Sequence, residues 1–579
     1  MRLPEDVRFV LRGHWRDSWI LAACIALWSA CCLASAQTGT RSERIADALV
    51  QASGQNSGTW NAETGLQLEG LSAVWYNTAN GNYFRYEKAK VDNVLAASQA
   101  GRESDADSSA LFGQQLLLLY RVTLRPEYYK AAATIRTHLA ERCDSQSGAP
   151  SAICTAGPFL AEYASVFQEP QEFANITRGF QQWDRMTQWP SANIERAQVA
   201  LQDTSLARLA ASLVDALPYY PQNEPARAQL IAILNRIAET AVQHQNSSTG
   251  FFEESSTGSM RRPLKPSDLC LLVYAMAKGA RLGYLPAQDS ALAMKAWQAI
   301  ITAYPTANGY LSGPDQGHFL VAAAELDLAP SATLARGQTI LLDAWYNSQQ
   351  RMNAAGQMES FHYKWSDMSD SGYALLGHLF RSYGAATETL YSAPTSDALS
   401  KARYYLIASP DIPAKNPHPH YMTTRDADEI AAWVKDGGVL MLMENDPPNA
   451  DISHLNLLAD RFGIHFEDVL HHHILGEHVE DGRIPVDGRG PLFHHSHTLY
   501  MKDTCAISLS GPAVALLRDR GDVVMASTKY GRGAVFAAVD PWLYNEYTDG
   551  RKDPRIYDQF DNFAGGKELV QWLFQQRPH

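Results

Sequence analysis

From Ser42 to Leu328 the apolar residues recur at helical spacing in roughly a dozen successive segments, and none of them has the compact run of a central strand. Examples are Tyr83–Ala97, Ser109–Thr123, Glu127–Glu141, Pro158–Phe167, Glu172–Gln188, Arg227–Gln245, Leu269–Leu282, Ala291–Ala303 and Gly317–Leu326. Short Gly/Pro/Asn/Ser loops separate them, so consecutive helices lie antiparallel. About twelve such helices suit a double ring of inner and outer helices. A helical repeat array competes with it, but the sequence shows no fixed-period repeat. In a double ring the loops that feed the inner helices form the mouth. Aromatic residues near them are either sugar-stacking platforms or packing residues: Trp60, Trp75, Tyr76, Tyr83, Trp183, Trp189, Tyr219 and Tyr220.

After Ala393-Pro394-Thr395 the pattern changes. Arg403–Asp411, Val439–Asn445, Asp522–Thr528 and Ala534–Asp540 read as strands, and Thr424–Lys435, His454–Phe462 and Glu568–Gln575 as helices. The alternation predicts an open α/β sheet, largely parallel with an antiparallel edge. Its crevice is expected at Ser409–Pro413, Glu444–Asn449 and Asp540–Glu546, the loops at the carboxyl ends of strands. Pro541, Trp542, Tyr544 and Tyr547, with Asp540, Glu546 and Asp549, form either a sugar-binding edge or structural packing. Cys505 is not in a Gly-x-Cys-x-Gly elbow and no Cys-His-Glu triad is evident, so this module reads as non-catalytic. His471, His472, His473, His478, His494, His495 and His497 are either a metal site or two exposed loops. Adjacent residues do not share one face of an element, which argues against a metal. Between the halves, FHYKWSDMSDSGY (Phe361–Tyr373) reads as a buried polar clasp.

A length of 579 residues implies more than one domain. The net charge of −13, with no basic run in the body of the chain, excludes a nucleic-acid partner. At the N-terminus, Arg2, Arg8, Arg12 and Arg16 precede the apolar run Trp19–Leu33, which ends in Ala34-Ser35-Ala36. This is the pattern of an export signal cleaved before Gln37, too short for a stable membrane span. Cys24 after Leu-Ala-Ala leaves a lipoprotein as the alternative. After cleavage Cys143, Cys154, Cys270 and Cys505 remain. An oxidising compartment permits a Cys143–Cys154 bridge, with separate thiols as the other reading.

Six fragments occur in order: WNAETGLQLEGLSAVW (Trp60–Trp75), FGQQLLLLYRVT (Phe112–Thr123), GPFLAEYASVF (Gly157–Phe167), LVDALPYYP (Leu213–Pro221), FFEESS (Phe251–Ser256) and VYAMAKGARLGYLP (Val273–Pro286). Together they resemble glycoside hydrolase family 105, the unsaturated rhamnogalacturonyl hydrolases, which are related to family 88. The resemblance implies an (α/α)6 barrel over residues 37–335, preceded by the signal (1–36) and followed by a linker segment and α/β accessory module (336–579). It implies removal of a 4,5-unsaturated galacturonyl residue from a pectin fragment. In that chemistry an aspartic acid protonates C4, water adds at C5, and the hemiketal collapses. The site needs a carboxylic acid that keeps its proton near neutral pH. The implied partner is an oligosaccharide, with no metal or organic cofactor. LLDAWYNS (Leu341–Ser348), AWVKDGGVLMLMENDPPN and KYGRGAVFAAVDPWLYNEYTDGRK resemble an accessory module with a glutamine-amidotransferase-like sheet.

The chain departs from the family where the chemistry belongs. The expected acid falls on Ser151, with Ala149 and Cys154 at the neighbouring landmark positions. The second family Asp falls on Ser108, and a one-residue slip makes Asp107 its equivalent. The His-Gly-Trp-Asp-like segment is absent, and DTSLARLAAS stands where a Trp-x-Arg-Gly-x-Gly-Trp-like segment is expected. Replacement carboxylates are Asp107, Asp144, Asp184, Glu253 and Glu254. The expected assignment is Asp107 and Asp144 as catalytic groups, with Trp60, Trp183 and Glu254 binding substrate. The alternative is an inactive barrel that binds acidic oligosaccharides or supports another enzyme.

Overall fold

The computed structural model describes residues 39–52, 60–97, 106–144, 153–186, 205–254, 262–304, 315–471, 473–474 and 478–576. The predicted signal, Ser151 and Trp189 lie outside the described residues, as does the side chain of Cys143, on which the bridge to Cys154 depends. No helix among the described residues is long and apolar enough to cross a membrane.

Twelve helices fill the first half of the described chain: α1 (Arg41–Ala52), α2 (Ala62–Thr78), α3 (Gly81–Ala96), α4 (Ala106–Thr123), α5 (Pro126–Asp144), α6 (Ile153–Val166), α7 (Glu172–Met186), α8 (Ser205–Ala216), α9 (Pro225–Gln243), α10 (Pro266–Arg281), α11 (Asp289–Ala303) and α12 (Gln316–Leu328). The even-numbered helices pack one on the next, and α12 returns to α2, closing a ring. Each odd-numbered helix lies outside an even one: α1 on α12, α3 on α2, α5 on α4, α7 on α6, α9 on α8 and α11 on α10. Sequence explains the division. Inner α6 and α10 bury residues on every face. Outer α7 buries only the stripe Phe173, Ile176, Thr177, Phe180 and Trp183, at spacings of three and four. Glycines bring inner helices close: a Cβ on Gly113 of α4 would stand 2.6 Å from the Phe159 ring of α6.

Helix α6 starts at Ile153, five residues before the start expected at Pro158. Proline favours the first turn of a helix, which is why it reads as a start. Here it sits inside, and the extra turn carries Cys154 and Thr155 into the ring.

The second half is built on strands β1 (Thr339–Asp343), β2 (Gln350–Met352), β3 (Met358–Ser360), β4 (Ala386–Leu390), β5 (Tyr404–Ala408), β6 (Val439–Met443), β7 (Ile464–His471), β8 (Arg483–Asp487), β9 (Ser496–Tyr500), β10 (Thr504–Leu509), β11 (Val514–Asp519), β12 (Asp522–Tyr530) and β13 (Gly533–Ala538). The main sheet runs β4-β1-β5-β6-β13-β12-β10-β7, with β11 on β12. From β4 to β13 neighbours are parallel; from β13 to β7 they are antiparallel. It is therefore a mixed sheet with an antiparallel half rather than an antiparallel edge. Every residue of β5 and β6 is buried, as expected for strands covered on both faces. β1 and β4 enter this sheet although they precede Ala393-Pro394-Thr395. Both are five residues long, and β4 alternates charge and threonine, so only their sheet neighbours reveal them.

The sheet module covers the end of the ring where the inner helices finish. Trp75 of α2 donates its indole N–H to Asp549 (2.8 Å), and the Arg551 guanidinium lies 4.7 Å over the Trp75 ring. The Tyr120 hydroxyl of α4 accepts from Ala354 N (2.8 Å), and the Phe167 carbonyl after α6 accepts from Gln357 (2.7 Å). Phe361–Tyr373 belongs to this contact, since Met368 O accepts from Arg551 and Ser366 O from Arg121. Within it, buried Asp367 accepts from His362 N, Ser369 N and Ser369 Oγ.

Candidate active site

All six inner helices contribute side chains to one cavity of about 100 Å³, room for several waters. Glu69 comes from α2, Asp107 from α4, Thr155 from α6, Arg208 and Asp215 from α8, Tyr274 from α10 and His318 from α12. On α8, Arg208 and Asp215 are seven residues apart and so share a face. Tyr274 and Lys278 are one turn apart on α10, and both reach Asp215: Tyr274 Oη donates at 2.5 Å and Lys278 Nζ at 2.6 Å. Asp107 accepts from Thr155 Oγ1 (2.5 Å) and from Arg208 Nη1 (3.0 Å).

Electrostatics separate these groups. Burial, and then the charge of Asp215, pushes the Glu69 carboxyl up to about 8, against the pull of Lys278. Glu69 thus keeps its proton at neutral pH. Burial, and then Arg208, pushes His318 down to about 4, and its Nδ1 has no partner. The cavity therefore holds a carboxylic acid and a neutral imidazole beside the Asp107–Arg208 and Asp215–Lys278 pairs. The first turns of α2, α4, α6, α8 and α12 contribute to its lining, and helix amino ends favour an anionic ligand.

Of the sequence-derived candidates, Asp107 lines this cavity. Asp144 ends the outer helix α5, and its side chain lies outside the described residues. Trp60 lies at the start of α2, but its indole N–H is bonded to Ser108 O (2.8 Å) and its ring packs on Phe112 at 4.7 Å. Trp183 is corrected: it is 7% exposed, in the inward stripe of an outer helix, and does not face the cavity. Glu254 is half-buried outside the cavity lining, its backbone N–H bonded to Arg262 O (2.7 Å). Glu253 is buried and accepts from Asn246 at 2.6 Å. Asp184 pairs with Arg236 between α7 and α9. Glu69, Asp215, Tyr274, Arg208 and His318 are absent from the sequence-derived set. Their signal is a polar residue embedded in an apolar inner helix, as in LVDALP, which becomes informative only once the ring is known.

The family comparison falls on this half of the chain. Residues 36–314 match the family model of Glycosyl Hydrolase Family 88. A family 105 glycoside hydrolase of C. acetobutylicum ATCC 824 is 19% identical, covering 50% of this chain and 99% of that one, with a TM-score of 0.40. A family 88 glycosyl hydrolase from Bacteroides vulgatus is 17% identical over 47% and 92% of the two chains, with a TM-score of 0.39. A possible GH105 member from Salmonella enterica serovar Paratyphi A is 14% identical over 46% and 83%, with a TM-score of 0.39. The family 88 match supports a carbohydrate-processing enzyme, a glycoside hydrolase, and it spans the cavity lining except His318 and Val321.

In the sheet module, Asp540, Glu546 and Asp549 are wholly buried and Tyr544 nearly so, which of the two readings favours structural packing. The histidines of that half pair with carboxylates: His471 with Asp522, His473 with Asp503, His495 with Glu568, and His497 with Asp561 and the same Glu568. No group of three or more His, Cys, Asp or Glu among the described residues is placed to hold a metal ion.

Proposed function

We propose that this chain is an exported hydrolase of unsaturated galacturonyl oligosaccharides, acting on an (α/α)6 barrel by hydration of the 4,5-double bond. One arrangement carries the reading: Glu69, whose carboxyl burial and Asp215 push up to about 8, shares a cavity with Arg208 and the first turns of five inner helices, which favour an anionic sugar. The closed ring of even-numbered helices supports the barrel, and the Arg-flanked apolar N-terminus supports export.

In this mechanism Arg208 holds the sugar carboxylate. Glu69 gives its proton to C4, and the C4–C5 π electrons form the new C–H bond. A water oxygen then bonds to C5, and its proton passes to Asp107. The hemiketal collapses and frees the sugar. Glu69 takes the place of the acid that the family pattern would put at Ser151.

The test is the loss of absorbance of a lyase-generated unsaturated rhamnogalacturonan disaccharide on incubation with the mature protein. Steady loss is expected, slowed roughly 10²–10⁴-fold in Glu69→Gln. Asp107→Asn should slow it by roughly 10²-fold, as for loss of a general base. No loss at high enzyme concentration would overturn the reading. Tight binding without turnover would instead identify a barrel that only holds acidic oligosaccharides, the reading favoured by Ser151.

A further inference from the structure

The barrel cavity has two unlike walls. Toward α6, α8 and α10 its charged groups are taken up by one another: Asp107 by Thr155 and Arg208, and Asp215 by Tyr274 and Lys278. The other wall comes from α12, α2 and α4, which are consecutive in the ring. Each of these helices brings one lining side chain that makes no hydrogen bond with any described residue: His318, Glu69 and Gln114. His318 Nδ1 is enclosed, but Nε2, the Glu69 carboxyl and the Gln114 amide are not, so they remain open on side chains that line the cavity. A ligand that enters must satisfy these groups or lose affinity.

Their neighbours narrow the chemistry. Leu66, Leu111 and Val321, three residues from Glu69, Gln114 and His318 on the same helices, also line the cavity. Apolar patches set between donors and acceptors suit one edge of a sugar ring, whose C–H faces are apolar and whose rim carries hydroxyls. This wall is also without charge at neutral pH. Burial pushes Glu69 up to about 8 and His318 down to about 4, and Gln114 does not ionise. A carboxylate gains nothing here and belongs on the Arg208 wall. A hydroxyl, both donor and acceptor, matches all three groups.

In the hydrolase reading, on which this inference rests, the unsaturated ring keeps free hydroxyls only at C2 and C3. We propose that Gln114 and His318, on the two helices that flank the Glu69 helix, hydrogen-bond these hydroxyls and make the site specific for an unsaturated ring that carries both. Gln114 and His318 thus read the sugar while Glu69 acts on its double bond.

The test follows absorbance with the unsaturated rhamnogalacturonan disaccharide and with two analogues in which hydrogen replaces the C2 or the C3 hydroxyl of the unsaturated ring. Wild-type kcat/KM should be about tenfold higher for the intact disaccharide than for either analogue, the effect of one lost hydrogen bond. Gln114→Leu and His318→Phe should each lower kcat/KM about tenfold on the intact disaccharide. Each variant should lose nothing further on the analogue that lacks its own hydroxyl. His318→Gln, which keeps a donor and an acceptor, should recover part of the loss. Wild-type protein that turns over both analogues as fast as the intact disaccharide overturns the inference and leaves the hydrolase reading standing, whether or not the variants fold. Folded variants that match wild type, or losses that add in full on both analogues, overturn it too. No turnover of the intact disaccharide by the wild type sinks the hydrolase reading, and this inference with it.

Discussion

Glu69 owes its proton to its position rather than to its neighbours in sequence. It stands two turns into α2, facing Asp215 from across the ring. In the proposed reaction only the protonated form works, so kcat/KM should be flat through neutrality and fall as pH rises through about 8. Glu69→Gln should lower kcat/KM by roughly 10²–10⁴-fold while the thermal midpoint holds or rises, since the amide cannot ionise. Asp107 was legible beforehand because it lies one residue from a family landmark. Glu69 and Asp215 were not, because a carboxyl inside an apolar helix reads as a local exception until six such helices face one another.

At the scale of the element, the inner helices are held close by residues without side chains. Gly113→Ala would press a methyl group into Phe159, which is wholly buried and has no room to yield. Denaturant unfolding should show a loss of about 1–3 kcal/mol, the usual cost of overpacking a core. An equal change at Gly356, where nothing lies within 4 Å but φ is +79°, tests backbone strain instead. The helices were readable because a 3.6-residue period persists over many residues. β1 and β4 were not, since five residues carry little period and their burial depends on partners distant in sequence. β5 and β6 were readable because strands buried on both faces are uniformly apolar.

Across the whole molecule, the two halves are joined through buried charge. Arg551 pairs with Asp549 at 2.8 Å, both nearly inaccessible, against Trp75 and Phe84. Arg551→Ala leaves Asp549 buried without its partner. It should cost about 3–5 kcal/mol and split a single thermal transition into two, as read by calorimetry. Titration adds a second whole-molecule signature. Burial raises Glu69, Glu444 and Glu546 to about 8 and Asp540 to about 7, so in the folded state these groups keep protons that the unfolded chain releases near its ordinary carboxylate range. Their contribution is full at acid pH and declines as pH climbs toward 8. His318 and His362, lowered to about 4 and 3, act oppositely and are lost as pH falls below the ordinary histidine range. The thermal midpoint should therefore peak on the acid side of neutrality. Glu546→Gln should flatten the alkaline decline, because the amide still accepts from Leu375 N.

The sheet module sits across the end of the ring where α2, α4, α6 and α10 finish, bonded to Trp75, Tyr120, Phe167 and Arg281. The ring is thus a cul-de-sac. Whatever enters at the amino-terminal mouth must leave by the same door, and a polymer cannot be threaded through. In the proposed reaction only chain ends would fit such a space, and each freed sugar would bar the next until it departs.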